Sequence, residues 1–405
     1  MSYADTLAYL YARLPMYQRI GAAAYKADLS NTHALMEALG HPESGLKCVH
    51  IAGTNGKGST SSLIASALQE AGYKVGLHTS PHLKDFRERF RINGVMVSEE
   101  VVTRFVEEHR ATFEPIEPSF FEWGVAFALW WFREQQVDIA VLETGMGGRL
   151  DSTNVVTPEV SVITNIGWDH QQFLGDTLEK IAAEKAGIIK PGIPVVIGEA
   201  QGEVAEVFKR KASESASPIT FVDQRSVLRV TSALQGEHQV RNTRTALAAI
   251  DVLRERGWRI PEAAVSSGFA NVHANTGLRG RWEVIGHAPL TIADVAHNVD
   301  GIRMVNAMLA RTPHDQLRIV LGMVNDKDID AVLALLPKKA DYHFCKADIP
   351  RGMDAEVLRQ KAEHHGLSGT SHGSVAGSLK AARLSAGEQD LVLITGSVFV
   401  VAEAL

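Results

Sequence analysis

The stretch His50-Ile-Ala-Gly-Thr-Asn-Gly-Lys-Gly-Ser-Thr60 decides the fold of the first part of the chain. An apolar run over 47–52, typical of a buried strand, precedes the turn, and a run over 61–68, typical of a helix, follows it. A glycine-rich turn between a strand and a helix frees backbone N–H groups that wrap an oligophosphate, and Lys57 adds a positive charge. A glycine-rich turn without a ligand is the alternative. The strand and the helix favour a loop that binds a nucleoside triphosphate.

The spacing within this loop differs from that of the commonest phosphate-binding loop. Gly53 lies three residues before Gly56, and Gly58 separates Lys57 from the first hydroxyl, that of Ser59. We nevertheless predict that the whole loop contacts the nucleotide, through Gly53, Thr54, Asn55, Gly56, Lys57, Gly58, Ser59 and Thr60.

The length and composition indicate a soluble globular protein of about two domains. The chain has 405 residues, of which 45% are hydrophobic, and a formal net charge of -6, which argues against binding to nucleic acid through bulk charge. The longest apolar run, 123–132, is far shorter than the roughly 20 residues that cross a bilayer. The N-terminus has no signal-peptide pattern. We expect a cytoplasmic protein that binds neither nucleic acid nor membrane.

Cys48 and Cys345 are expected to be reduced core thiols, with a disulfide or a metal pair as the alternative.

Strand-like and helical runs alternate along most of the chain, which is typical of an α/β protein with mostly parallel sheets. We predict a larger N-terminal ATPase domain, residues 1–284, built on the phosphate loop. The pattern restarts near residue 285 and predicts a smaller Rossmann-like α/β domain, residues 285–405. Its expected helices are 300–311, 327–336, 354–365 and 373–385.

A basic segment, Lys84-Asp-Phe-Arg-Glu-Arg-Phe-Arg91, precedes a hairpin turn at Asn93-Gly94. Four basic side chains in eight residues can meet an anionic substrate. An exposed strand with its charges on one face is the alternative, and the pattern does not decide between them.

Two polar side chains follow predicted strands and are candidate metal ligands. Glu143 begins the stretch Glu143-Thr-Gly-Met-Gly-Gly-Arg-Leu-Asp151, and His170 ends the stretch 164–170. Ligands of open α/β sheets gather at the carboxyl ends of the strands, and Mg²⁺ prefers one or two carboxylates beside phosphates and water. A solvated strand end is the alternative for Glu143, and a structural role is the alternative for His170.

Lys185 is the most informative single residue. The helix predicted over 177–187 begins at a capping signature, Asp176 with Glu179, and ends at Gly187. Lys185 falls on its apolar stripe with Leu178, Ile181 and Ala182. An inward lysine must pair, extend its amine to the surface or lose its proton, and a neutral amine can take up carbon dioxide as a carbamate, which is an oxygen ligand for metal.

Taken in order, these motifs resemble those of the folylpolyglutamate synthase/dihydrofolate synthase family of Mur-type ligases, nearly end to end. The phosphate loop, with Gly58 between Lys57 and Ser59, resembles the loop of the folate branch of these ligases. The other motifs are Thr79-Ser-Pro-His-Leu83, Arg91-Ile-Asn-Gly94, Gly147-Gly-Arg-Leu-Asp-Ser-Thr-Asn154, Asp169-His170, Glu184-Lys-Ala-Gly-Ile188, His238-Gln-x-x-Asn242, Gly280-Arg-Trp-Glu283 and Asp294-x-Ala-His-Asn298.

The resemblance implies roles for individual residues. Two Mg²⁺ ions would be held by Ser80, Glu143, His170 and a carbamylated Lys185. ATP would be contacted by Asn242, Arg281 and Asp294 in addition to the loop around Lys57, and His297 would act at its phosphate end. The catalytic set would be Lys57, Lys185, Arg281 and His297, with Ser119 and Asp151 near the pterin substrate.

The implied activity is that of an ADP-forming carboxylate–amine ligase. Its substrates would be ATP, L-glutamate and either dihydropteroate or the glutamate tail of a reduced folate, joined through an acyl phosphate. We expect a monomer. The alternatives are a Mur-type ligase for a cell-wall precursor, against which Gly58 and the Ser-Pro-His-Leu motif speak, and a nucleotide-binding ATPase regulator without ligation.

Overall fold

The computed structural model describes residues 1–16, 28–325 and 329–405, which form two compact units. The first unit takes the described residues up to Ala233 and the segment His238–Leu278. The second unit takes Leu234–Glu237 and Arg279–Leu405. The main segment of the second unit begins at Arg279, six residues before the predicted domain start at residue 285. The domain division itself stays a prediction.

An eight-stranded sheet forms the centre of the first unit, with the strand order β4-β3-β2-β5-β1-β6-β7-β8. Neighbouring strands of the series β2-β5-β1-β6-β7-β8 are parallel to each other. At one edge of the sheet, β3 pairs with β2 and β4 pairs with β3, both antiparallel. Their bounds are β1 (Cys48–Ala52), β2 (Val75–His78), β3 (Phe90–Ile92), β4 (Val95–Met96), β5 (Ile139–Glu143), β6 (Val160–Ile163), β7 (Val195–Ile197) and β8 (Ile219–Phe221).

Helices connect these strands, as parallel pairing requires. They are α1 (Tyr3–Arg13), α2 (Ser30–Ala38), α3 (Lys57–Glu70), α4 (Glu99–Phe113), α5 (Phe120–Glu134), α6 (Gln171–Leu174), α7 (Leu178–Ala186), α8 (Glu203–Glu214), α9 (Glu237–Glu255), α10 (Glu262–Ala270) and α11 (Val272–Thr276). Short 3₁₀ helices lie at Phe86–Arg89, Glu114–Ile116 and Ser152–Val155.

A six-stranded sheet forms the second unit, with the order β13-β12-β11-β14-β10-β9, in which only the edge strand β9 is antiparallel. The strands are β9 (Glu283–His287), β10 (Leu290–Ala293), β11 (Leu317–Leu321), β12 (Asp341–Phe344), β13 (Gly369–Ser371) and β14 (Leu391–Thr395). The helices are α12 (Val299–Leu309), α13 (Ile329–Leu333), α14 (Ala355–His364), α15 (Val375–Ser385) and α16 (Val398–Ala404).

Aromatic side chains of α4 and α5 pack into an apolar cluster of the first unit. The ring of Phe127 lies 5.0 Å from that of Phe105 and 5.4 Å from that of Trp123, measured between centroids. Each such ring, when fully buried, stabilises the unit by about 1.5–3 kcal/mol. The apolar run 123–132 lies within α5 and packs into this core. In the part of the chain that the structure describes, no helix has the length and apolarity to span a bilayer.

The structure confirms the predicted α/β class in both units, with two mostly parallel sheets. It also confirms the hairpin at Asn93-Gly94 and two buried cysteines without a disulfide. Of the helix predicted over 327–336, residues 329–333 are helical, whereas 327 and 328 lie outside the described residues.

One local prediction was wrong. The N-cap of α7 is Thr177, whose hydroxyl accepts the N–H of Lys180, whereas Asp176 instead forms an ion pair with the Lys180 amine at 2.6 Å. For the basic segment 84–91 the sequence left two alternatives open. Residues 86–89 form a 3₁₀ helix, in which Arg89 is buried and Arg87 is paired with Asp85, and not an exposed strand, whereas contact with an anionic substrate stays a prediction.

Candidate active site

Two glycines of the phosphate loop are required by its geometry. Gly53 has φ +152°, and a Cβ there would lie 1.8 Å from Thr164 Oγ1. Gly56 has φ +82°, and a Cβ there would lie 2.2 Å from Asn242 Oδ1. Both positions therefore exclude a side chain, and the side chains of Thr164, directly after β6, and of Asn242 in α9 approach the loop closely.

The segment that follows β6 holds the loop in place. Asn165 accepts the N–H of Thr54 on its backbone oxygen at 3.0 Å and the N–H of Asn55 on Oδ1 at 2.8 Å. Thr164 Oγ1 donates to the Asn55 carbonyl at 2.6 Å. No role was predicted for Thr164 or Asn165 from the sequence. Their position directly after β6 is a signal that could have identified them as contacts of the loop.

The start of α3 suits an anionic oligophosphate. Gly56 is its N-cap and supplies no side-chain cap, so the first N–H groups of the helix, which have no carbonyl within it, remain available to a ligand. Among the described residues, the buried hydroxyls of Thr60 and Ser61 also have no hydrogen-bond partner. This uncapped, positively polarised helix end matches the predicted phosphate contacts of the loop.

Lys57 and Lys185 direct their amines to the same backbone oxygen. Nζ of Lys57 donates to the Gly53 carbonyl at 3.2 Å, and Nζ of Lys185 donates to it at 3.0 Å. Lys185 is only 3% exposed, so its side chain does not extend to the surface. Burial, and then the charge of Lys57, lowers the pKa of Lys185 to about 7, against a smaller opposing effect of Asp169 and Asp151. A large fraction of this amine is therefore neutral and nucleophilic near pH 7.

Glu143 and Ser80 are adjacent. Glu143 ends β5 and is 4% exposed, and its Oε2 accepts the N–H of Ser80 at 3.2 Å. Among the described residues, no three His, Cys, Asp or Glu side chains form a preformed metal site. One carboxylate with a neighbouring hydroxyl, next to a phosphate-binding loop, is the kind of incomplete set that Mg²⁺ completes with phosphate oxygens and water. The residues therefore fit a nucleotide-bound divalent ion.

His170 is the N-cap of the short helix α6 and has φ +52°. Its backbone N–H donates to Asp169 Oδ1 at 2.9 Å, and its Nε2 lies 3.8 Å from the same oxygen. Asp169 acts electrostatically on Lys185, so this segment belongs to the same part of the first unit. The ligand role of His170 stays a prediction.

The two predicted pterin contacts make internal hydrogen bonds. Ser119 is the N-cap of α5 and exchanges two hydrogen bonds with Glu122. Asp151 is 5% exposed and accepts hydrogen bonds from the backbone of Gly145 and Met146, and from both the backbone and the hydroxyl of Thr153. The structure thus gives both side chains a local structural role, and substrate contact stays a prediction for each.

Arg281, Asp294 and His297 lie in the second unit, at the carboxyl end of β10. Asp294 accepts the N–H of Trp282 and the N–H of Ala296, both at 2.9 Å. It therefore ties the turn that carries Arg281 to the segment that carries His297. Nδ1 of His297 lies 2.9 Å from the Val295 carbonyl.

Comparison with known proteins identifies the family. The middle domain of Mur ligases matches residues 51–226, and the glutamate ligase domain of Mur ligases matches residues 280–398. The dihydrofolate synthase/folylpolyglutamate synthase of Bacillus subtilis is 33% identical over 99% of this chain and 98% of its own length. The chain belongs to the folylpolyglutamate synthase/dihydrofolate synthase family.

Other members of the folylpolyglutamate synthase/dihydrofolate synthase family extend the similarity. A probable bifunctional folylpolyglutamate synthase/dihydropteroate synthase of Haloferax volcanii is 36% identical over 94% of this chain, which spans 48% of that longer protein. A crystal structure of a bifunctional folylpolyglutamate synthase/dihydrofolate synthase with Mn, AMPPNP and L-glutamate bound has a TM-score of 0.85 and 30% identity. That match covers 100% of this chain and 97% of the other.

Proposed function

We propose that the protein is an ADP-forming ligase that adds L-glutamate to dihydropteroate and to the glutamate tail of reduced folates. The observation that carries this proposal is the uncapped glycine loop with two lysine amines on the Gly53 carbonyl and Glu143 at the adjacent strand end, in a chain of this family. Names of relatives, and the crystal structure with Mn, AMPPNP and L-glutamate, support the substrates.

In the proposed reaction, an oxygen of the pterin or folate carboxylate attacks the γ-phosphorus of ATP, and ADP leaves. The product is an acyl phosphate. The amine of L-glutamate then attacks the acyl carbon, loses a proton, and expels inorganic phosphate as the amide forms. The carboxylate oxygen that attacked the phosphorus leaves with the phosphate.

The residues of the first unit bind the nucleotide and stabilise the charge that moves during transfer. The loop from Gly53 to Thr60 and the start of α3 orient the phosphates, and Lys57 places a positive charge beside them. Asn242 lies against the loop and would contact the nucleotide as well. A bound divalent ion would neutralise phosphate charge and polarise the transferred phosphoryl group.

Ser80, Glu143, His170 and Lys185 are the proposed ligands of two Mg²⁺ ions, with Lys185 as a carbamate. The lowered pKa of Lys185 supports this modification, because the neutral amine is the form that adds to carbon dioxide. The carbamate replaces a buried positive charge by a negative one, which relieves the repulsion from Lys57 and supplies oxygen ligands.

From the second unit, Arg281 would stabilise the charge of the phosphoryl group, Asp294 would contact ATP, and His297 would act at the phosphate end. Ser119 and Asp151 are the proposed pterin-side residues. We further propose a cytoplasmic monomer. The domain division expected from the sequence is proposed to give an ATP-binding domain, residues 1–284, and a glutamate-ligase domain, residues 285–405.

Release of ADP from purified protein with ATP, Mg²⁺ and L-glutamate tests this function. Dihydropteroate and a reduced monoglutamyl folate are added in separate reactions, and the product mass is determined. We expect both to stimulate ADP release and to gain one glutamate. Turnover with only one of them would restrict the protein to that activity, and stimulation by neither would overturn the folate assignment.

A further inference from the structure

Three side chains form a buried hydrogen-bonded line beneath the loop that follows Glu143. Nε2 of His50, in β1, lies 2.8 Å from Thr153 Oγ1, which lies 2.5 Å from Asp151 Oδ1. His50 is 0% exposed, Thr153 1% and Asp151 5%. His50 and Thr153 are 103 residues apart in the sequence, and their hydrogen bond joins β1 to the 3₁₀ helix Ser152–Val155.

The donors in this line follow from the partners. Asp151 receives backbone N–H groups on both carboxylate oxygens, so it acts as an acceptor and the hydroxyl of Thr153 donates to it. The oxygen of that hydroxyl must then accept a hydrogen bond from the Nε2–H group of His50. Burial lowers the pKa of His50 to about 3, so the ring is neutral and its Nδ1 carries no proton. Within the described structure that Nδ1 has no partner.

The far end of the line holds the loop next to the candidate metal ligand. Oδ2 of Asp151 accepts the N–H of Gly145 at 2.8 Å and the N–H of Met146 at 3.0 Å. These residues come directly after Glu143, which pairs with Ile51 of β1 in the sheet. The orientation of the chain after Glu143 is therefore fixed relative to β1 in two ways, by the pairing of Glu143 in the sheet and by the His50–Thr153–Asp151 line.

We propose that His50 and Thr153 are positioning residues that fix the Glu143 loop for binding of the divalent metal with the nucleotide. His50 orients the Thr153 hydroxyl, the hydroxyl fixes one oxygen of Asp151, and the other oxygen fixes the loop. A buried histidine with one unpartnered nitrogen costs stability, because that nitrogen gives up water without gaining a partner. This inference rests on the proposed nucleotide and metal chemistry of the site.

Binding of Mn²⁺ in the presence of ADP, without pterin or glutamate, tests the proposal. Free Mn²⁺ is followed by electron paramagnetic resonance. Thr153→Val removes the hydroxyl and should weaken Mn²⁺ binding about 10-fold or more, the effect expected when support of a metal ligand is lost. Thr153→Ser keeps the hydroxyl and should bind like the wild type. Thr6→Val is the matched control, because Thr6 is likewise buried, at 0% exposed, and makes two hydrogen bonds, but lies in α1.

Two variants of His50 separate positioning from a purely structural role. His50→Leu removes the donor and also the unpartnered Nδ1, so we expect weaker Mn²⁺ binding with an unchanged or higher melting temperature. His50→Gln places an amide donor near the position of Nε2 and should restore Mn²⁺ affinity. Affinities that simply follow melting temperature across all five variants would contradict the proposal. So would a folded Thr153→Val protein with wild-type Mn²⁺ affinity.

The proposed function and the positioning role of His50 and Thr153 can fail separately. If the wild type binds Mn²⁺ and ADP but no pterin stimulates turnover, the proposed substrates are wrong and the variant series still decides the positioning role. If the wild type turns over pterins and the variants leave Mn²⁺ affinity unchanged, only the positioning role is wrong. A wild type that binds no Mn²⁺ with ADP overturns both.

Discussion

The two units have the same architecture but treat ionisable side chains differently. Both are mostly parallel α/β sheets with an antiparallel edge. Among the described residues, the first buries eight Asp, Glu, Lys, Arg or His side chains, namely His50, His78, Arg89, Glu122, Glu143, Asp151, Glu159 and Lys185. In the described part of the second, three side chains of these types are buried, Asp294, His343 and Asp390.

This difference indicates which unit buries ionisable side chains for a reason other than stability. In the second unit Asp390 is paired with Arg318 at 2.5 Å, and Asp294 is satisfied by backbone N–H groups. In the first unit Lys185 lies next to Lys57 without a carboxylate on its amine, and its pKa is strongly lowered. Buried groups with perturbed pKa values cluster at functional sites, so the comparison locates the main chemistry in the first unit.

The largest effect is expected from Lys57→Ala. The variant loses the positive charge beside the phosphates, and we expect ATP-dependent turnover to fall by about 10³-fold or more. Initial rates of ADP release measure this. Lys209→Ala is the control, since Lys209 is an exposed lysine of α8 that pairs with Glu206 and lies over the ring of Phe221. A Lys57→Ala variant with full activity would overturn the loop assignment.

Lys185→Ala tests the buried lysine itself. We expect turnover to fall by about 10²–10³-fold, since a proposed metal ligand is lost, while the fold is retained because the side chain lies at the end of α7. Circular dichroism and rates are compared with those of Lys180→Ala, an exposed lysine of the same helix. Near-normal turnover would exclude a metal role for Lys185.

Arg281→Ala asks whether the second unit contributes to chemistry. If the guanidinium stabilises phosphoryl charge, kcat should fall about 10²-fold with a smaller change in ADP affinity. Arg303→Ala, at an exposed position paired with Asp300, should behave as wild type. Equal rates for the two variants would remove Arg281 from the catalytic set and leave His297 as its one proposed member in the second unit.

Acid unfolding of the first unit should give the smallest effect. The pKa of His50 is about 3 in the folded state, against 6.5 when unpaired, so the unfolded state binds more protons between these values. The free energy of unfolding therefore falls as the pH drops below 6.5, by up to about 1.4 kcal/mol per pH unit from this residue.

Tryptophan fluorescence measures this loss, because five of the six tryptophans lie in the first unit. The pH dependence should be shallower for His50→Gln, which cannot titrate. Identical pH dependence in the two proteins would show that His50 does not supply the effect.

Much of the fold and part of the site could be predicted from local sequence patterns. The phosphate loop and the inward face of α7, which carries Lys185, follow from residue spacing over one or two turns. What failed depended on competition between neighbours: Thr177 and Asp176 can both cap α7, and only the structure shows that Asp176 pairs with Lys180 instead. Burial of Arg89 was missed because its charge pattern fits an exposed strand equally well.

Contacts between distant segments could not be predicted at all. Thr164 and Asn165 hold a loop more than 100 residues earlier in the chain, and His50 meets Thr153 across a similar separation. Such pairs require the order of the strands in the sheet, which no local pattern contains.

Transfer of ¹⁸O from the substrate carboxylate to phosphate tests the proposed ligase chemistry most directly. Dihydropteroate labelled with ¹⁸O in both carboxylate oxygens is converted with ATP, Mg²⁺ and L-glutamate, and the inorganic phosphate is analysed by mass spectrometry. The account predicts one ¹⁸O atom in each phosphate released with product. Phosphate without label would show that water, not the carboxylate, attacks ATP, and would contradict an acyl-phosphate ligase.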